Sequence, residues 1–167
     1  MVAGVSTGGG LKLQVDLEWY EISRAALVGV SRNVEAMRKG CKNRLPINDE
    51  WNAHILGALG ECAFAKGTHR YWNGSVNTFK GSDIGANIQV RTRSKHNYDL
   101  IVRRDDRDDD IFVLVTGGPN MFMIHGWILC ADAKQERYIQ NYGFHGAAYF
   151  VPQSELRQID ELICKEC

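Results

Sequence analysis

Apolar and polar positions along the chain change period in a way that divides it into elements. Leu11, Leu13, Val15 and Leu17 alternate with Lys12, Gln14 and Asp16, the period of two expected of a short strand or an extended lead-in. From about 18 to 39 the spacing lengthens: Ile22, Ala25, Ala26, Val30, Val34 and Met37 recur as on one helix face, and Gly40 supplies a stop. After Pro46, Asn48 or Asp49 can cap a second helix with the stripe Trp51, Ile55, Leu59 and Phe64, ending at Gly67. This helix carries Glu61 in the segment GALGECAFAKG. Glycine costs about 1 kcal/mol against alanine inside a helix, so Gly57 and Gly60, with Ala58, Ala63 and Ala65, predict close packing against a sheet.

The rest of the chain is rich in strands. Runs at 76–79, 88–92, 100–103, 111–115 and 122–129 are separated by Gly, Asn, Asp and Pro clusters, and 148–151 adds one more. Pro152 ends that last strand, and 154–164 reads as a closing helix with Leu156, Ile159, Leu162 and Ile163 facing inward. Helices, then strands, then a helix predict a single α/β domain over 11–167, preceded by a flexible N-terminus at 1–10 that is rich in glycine and serine.

With 44% hydrophobic and 24% charged residues among 167, the chain has enough apolar material for one globular core. Its 20 basic and 20 acidic residues cancel, so any nucleic-acid contact needs a local basic patch. No run approaches the ~18 apolar residues that cross a bilayer, which predicts no membrane partner. Five cysteines without framework spacing, and no basic and apolar leader, point to a reducing, cytoplasmic compartment.

The stretch GSDIGANIQVRTR holds the candidate chemistry. On a strand from Ile88 to Arg93, Gln89, Arg91 and Arg93 share one face, and Ile88, Val90 and Thr92 share the other. Gly85 and Asn87 tolerate the backbone angles of a tight connection, so Asp83 and Gln89 are expected on adjacent antiparallel strands. Phosphodiester cleavage needs a cation, oxygen ligands to hold it, and a positive group near the transition-state charge. Glu61, Asp83, Gln89 and Arg91 supply those types. Taken one at a time they also fit a helix surface, a turn and a solvated strand face.

A helix glutamate, an aspartate at a strand start and the tripeptide Gln89-Val90-Arg91 on the next strand resemble the PD-(D/E)XK nuclease superfamily. Its tripeptide is acidic-X-lysine. The order of the GALGE helix, DIG turn, QVRT strand, LIV strand and HGWI strand also resembles small phage-encoded members. The resemblance spans roughly 56–129. It implies a restriction-endonuclease-like fold, with a central mixed β-sheet flanked by helices. It further implies Mg²⁺ or Mn²⁺ as cofactor, with Glu61, Asp83, Gln89 and the Val90 carbonyl as its ligands, and DNA as substrate in a cytoplasm, the host's if the chain is phage-encoded. The chain departs from the pattern at two positions. Gln89 offers a neutral amide oxygen in place of a carboxylate. Arg91 replaces lysine; it stays protonated, so it orients a phosphate or stabilises charge but does not act as a base.

Arg93, Lys95, Lys80 and Arg103 are the expected nucleic-acid contacts beside that site. The run DDRDDD at 105–110 is expected to be a solvated loop. Cys164-Lys165-Glu166-Cys167 is half of a zinc site without a second pair, and His125 reads as a strand residue. Trp51 and Trp127 fall in apolar patterns, whereas Trp72 is the expected exposed aromatic. A nuclease fold that has lost catalysis and binds nucleic acid or a protein is the second expectation. The third is a homodimer whose exposed strand edge is covered by its twin.

Overall fold

The computed structural model describes residues 2–6, 11–40, 47–76, 81–141 and 146–164. Lys80, most of the expected strand at 76–79 and Cys167 lie outside them; Val76 itself is in a bend. The alternating stretch forms β2 (Leu11–Asp16), and Val2–Ser6, inside the segment expected to be loose, pairs with it antiparallel as β1. Two long helices follow, α1 (Trp19–Arg38) and α2 (Ile47–Gly67). The later elements are β3 (Ile88–Arg93), β4 (Leu100–Val102), β5 (Ile111–Gly117), β6 (Met121–Leu129), a short α3 (Cys130–Ala133), β7 (Ile139–Asn141), β8 (Ala147–Val151) and α4 (Ile159–Ile163). Among these residues no helix is long and apolar enough to cross a membrane.

Five strands form a mixed sheet in the order β1-β2-β6-β5-β3, in which only the β3/β5 pair is parallel. A second, antiparallel sheet has the order β4-β8-β7. The fold is thus α/β with a mixed sheet, and its two faces are covered differently. Val90, Val113, Val115, Phe122 and Ile124 pack with Ala58, Leu59, Phe64, Ile159 and Leu162, so α2 and α4 cover one face. Phe112, Leu114 and Ile128 pack with Leu100, Val102 and Val151, so the other face carries the second sheet, together with Cys130 and Ala133 of α3.

The inner face of α1 is made of small residues. Ala25, Gly29, Asn33 and Ala36 are buried, whereas Val34 and Met37 of the expected stripe are about half exposed. The cause is the close crossing of α1 and α2: a Cβ at Gly29 would stand 2.5 Å from the Ile55 Cα. At the other end of the crossing the Lys66 ammonium donates to the Glu21 carboxylate at 2.6 Å and to the Asp16 carbonyl at 2.8 Å. Close packing of α2 on the sheet is met at Gly60, where a Cβ would collide with the Thr92 side chain of β3. Gly57 faces open space.

The closing helix is shorter than its periodicity suggests. Arg157 pairs its backbone with Trp127 of β6, accepting at 3.0 Å and donating at 2.8 Å, which breaks the run into a 3-10 turn at Gln153–Glu155 and α4. Nor is the acidic loop wholly solvated: Asp110 is buried, and Asp106 accepts from Arg91.

Candidate functional site

The tight connection expected in GSDIGANIQVRTR is present. Ile84 and Ile88 form an antiparallel bridge, Asp83 N–H donates to the Ile88 carbonyl at 2.9 Å, and Gly85 takes a φ of +61°. This turn lies along the outer edge of β3, the side away from β5. Val90 N–H points to that edge and donates to Asp83 Oδ2 at 2.7 Å. Because N–H and C=O of one strand residue project to the same side, the Val90 carbonyl opens onto the same edge.

α2 brings Glu61 to this place. The Gly60 contact with Thr92 sets the helix low on the face formed by Ile88, Val90 and Thr92. Glu61 is only 4% exposed. Its carboxylate is gripped by Arg32 of α1, whose Nη1 donates to Oε1 at 2.5 Å and Nη2 to Oε2 at 2.9 Å. Trp72 Nε1 donates to Oε2 at 3.0 Å, and Arg32 Nε donates to the Ser75 carbonyl at 2.8 Å. Burial opposes the Arg32 charge, but the Glu61 hydrogen bonds and the Glu61 and Asp83 charges prevail and hold it protonated.

Asp83 is pushed up to about 7, first by burial and then by repulsion from Glu61; the Val90 N–H and the charges of Arg91 and Arg32 pull the other way. A carboxyl that keeps its proton more firmly in the native state stabilises the fold fully at acid pH. That contribution is lost as pH climbs from about 4 through about 7. Urea midpoints of the wild type should therefore fall between pH 5 and 8 relative to Asp83→Asn, with the two converging at acid pH; parallel profiles would contradict the raised value.

Gln89 and Arg91 project to the opposite face of β3. The Gln89 amide donates to Asp110 Oδ2 and to the Gly81 carbonyl, both at 3.3 Å. Arg91 pairs with Asp106 at 3.0 Å and lies 4.7 Å from the Phe112 ring centroid. Arg93 and Lys95 share the Tyr98 ring, at 4.6 and 5.5 Å, and Arg103 is exposed with its N–H on Asp106. The sites proposed from sequence thus divide: Glu61, Asp83 and the Val90 backbone converge, while Gln89, Arg91, Arg93 and Lys95 gather on the side of the second sheet.

Two residues join the cluster that the sequence did not place beside Glu61, Arg32 and Trp72. Trp72, the expected exposed aromatic, is 8% exposed because its indole is spent on Glu61; Tyr71 is the exposed neighbour. Gly29 was the available sign that α1 approaches another backbone closely enough for Arg32 to reach across. His125 is a buried strand residue that shares the Thr116 hydroxyl with His96, and burial lowers it to about 4.

The donor chemistry suits a hard divalent cation: two carboxylates and a backbone carbonyl, all oxygen. Mutual repulsion of Glu61 and Asp83 is what such a cation relieves. Thr92 Oγ1, on the same face of β3, is buried with no partner among the described residues. Against this, both Glu61 oxygens are already held, and no three His, Cys, Asp or Glu side chains converge among the described residues. A cation gains Glu61 only as Arg32 yields it. Asp83 lines a cleft of about 360 Å³ together with Arg70, Tyr71, Asn73, Ser82, Ile84 and Gly85. No protein-family model, curated protein or solved structure matches the chain.

Proposed function

We propose that this chain is a metal-dependent nuclease that hydrolyses phosphodiester bonds of DNA, with Glu61, Asp83 and the Val90 carbonyl holding Mg²⁺ or Mn²⁺. The observation that carries the reading is the charge interaction between the buried Glu61 and the half-buried Asp83 at the outer edge of β3, where Val90 N–H donates to Asp83 Oδ2 at 2.7 Å. A PD-(D/E)XK-type, restriction-endonuclease-like arrangement accounts for that interaction. When bound, the cation supplies charge neutralisation at the phosphate and a more acidic water.

The residues of the chain do the rest. Asp83 must lose its proton to serve as a ligand, so activity should fall toward acid pH, with a midpoint below the metal-free value of about 7 because cation and proton compete for the carboxylate. Arg32 holds Glu61 in its orientation until a cation takes up that carboxylate. Arg91, tied to Asp106, contributes its charge at a distance. Gln89 braces the start of β3 through Asp110.

Incubation with supercoiled plasmid, linear duplex and single-stranded DNA, with Mg²⁺, Mn²⁺ or EDTA, tests this. Cleavage should require the metal and fall at least 100-fold in Asp83→Ala. Cleavage that persists in that variant would overturn the mechanism. The bidentate Arg32 grip on Glu61 favours a second reading, a nuclease fold that binds DNA without cutting it; salt-sensitive binding with no cleavage under any metal would select it.

A further inference from the structure

Tyr71 lines the same cleft as Asp83 and takes no part in the chemistry above. It is 82% exposed. Single exposed aromatics are ordinary on protein surfaces, but the backbone that carries this one is anchored through both of its neighbours. On one side, Arg70 N–H donates to the Ala65 carbonyl at 2.9 Å, and the Arg70 guanidinium donates to the Leu162 carbonyl at 3.1 Å. On the other, Trp72 is buried and donates its indole N–H to Glu61. The backbone between an anchored arginine and an anchored tryptophan leaves the Tyr71 ring facing water, in the cleft that Asp83 also lines.

A flat ring on a fixed segment offers a stacking face at low ordering cost. Duplex DNA buries both faces of its bases within the helix, whereas an unpaired base presents a free face. We propose that Tyr71 is a stacking platform for an unpaired base, and that the ligand of the cleft is single-stranded or locally unpaired DNA whose neighbouring phosphate lies toward Asp83. The choice of DNA rests on the nuclease reading; the stacking site rests on Tyr71 and its anchors.

Fluorescence anisotropy with a labelled oligothymidine and a duplex of equal length, with Ca²⁺ in place of Mg²⁺ and again in EDTA, tests the platform without requiring turnover. The wild type should bind the oligothymidine more tightly than the duplex. Tyr71→Ala should weaken single-strand binding about tenfold while leaving duplex binding unchanged, and Tyr71→Trp should preserve the preference. Equal oligothymidine affinity in wild type and Tyr71→Ala, or no single-strand binding by the wild type, overturns the proposal even if Asp83-dependent cleavage is found. Tyr71-dependent binding without cleavage supports the platform and removes only the catalytic reading.

Discussion

Glu61→Ala is expected to destabilise the protein by about 3–5 kcal/mol, the range for removing one partner of a buried ion pair. The variant leaves the Arg32 guanidinium, 18% exposed, facing an apolar gap, and it strands the Trp72 indole N–H. Glu61→Gln keeps the shape but not the charge and should recover little. Replacing both partners, as in Arg32→Met with Glu61→Leu, should cost far less than either single change, because no charge is then left buried. Chemical denaturation of the four proteins measures this. Should Glu61→Ala cost under 1 kcal/mol, Arg32 and Glu61 would not be the tie between α1 and α2 described above.

The second large effect concerns the crossing that lets Arg32 reach. Gly29→Ala places a methyl against the Ile55 Cα, the His54 carbonyl and the Ile55 nitrogen, at 2.5, 2.7 and 2.8 Å. These are backbone atoms and do not rotate aside, so the helices must separate, at about 3 kcal/mol or more. The separation also draws Arg32 away from Glu61. Gly57→Ala is the matched control: it meets nothing within 4 Å and should gain up to about 1 kcal/mol of helix propensity. Thermal unfolding of the two variants should move in opposite directions; a Gly29→Ala protein as stable as wild type would mean that the crossing is not close-packed.

Much of this architecture is legible from local signals. The period-two run at Leu11–Asp16, both long helices and the strands at Ile88–Arg93, Ile111–Gly117 and Met121–Leu129 follow from residue spacing and punctuation. The turn through Gly85 does too, because only a few residue types accept its backbone angles. What local pattern does not contain is which partner waits on each face. Alternation correctly separates Gln89 and Arg91 from Val90 and Thr92, but it does not say that α2 lies against the second pair. Helical spacing likewise marks Val34 and Met37 as apolar without showing that Gly29 and Ala36 make the contact. Arg157 interrupts the closing helix through a pairing with Trp127, thirty positions away. Arg32 and Trp72 converge on Glu61 through tertiary packing alone.

The central proposal is that the buried Glu61 and the half-buried Asp83 form one carboxylate site for a divalent cation, and the Asp83 carboxyl reports on it most directly. Its ¹³C chemical shift, followed against pH with and without Mg²⁺, should titrate near 7 in the free protein. Added Mg²⁺ should move that titration to lower pH, because cation and proton compete for the same oxygens. The displacement should vanish in Glu61→Gln if that variant remains folded. An Asp83 that titrates near 4 and ignores Mg²⁺ would contradict both the interacting carboxylates and the metal site built on them.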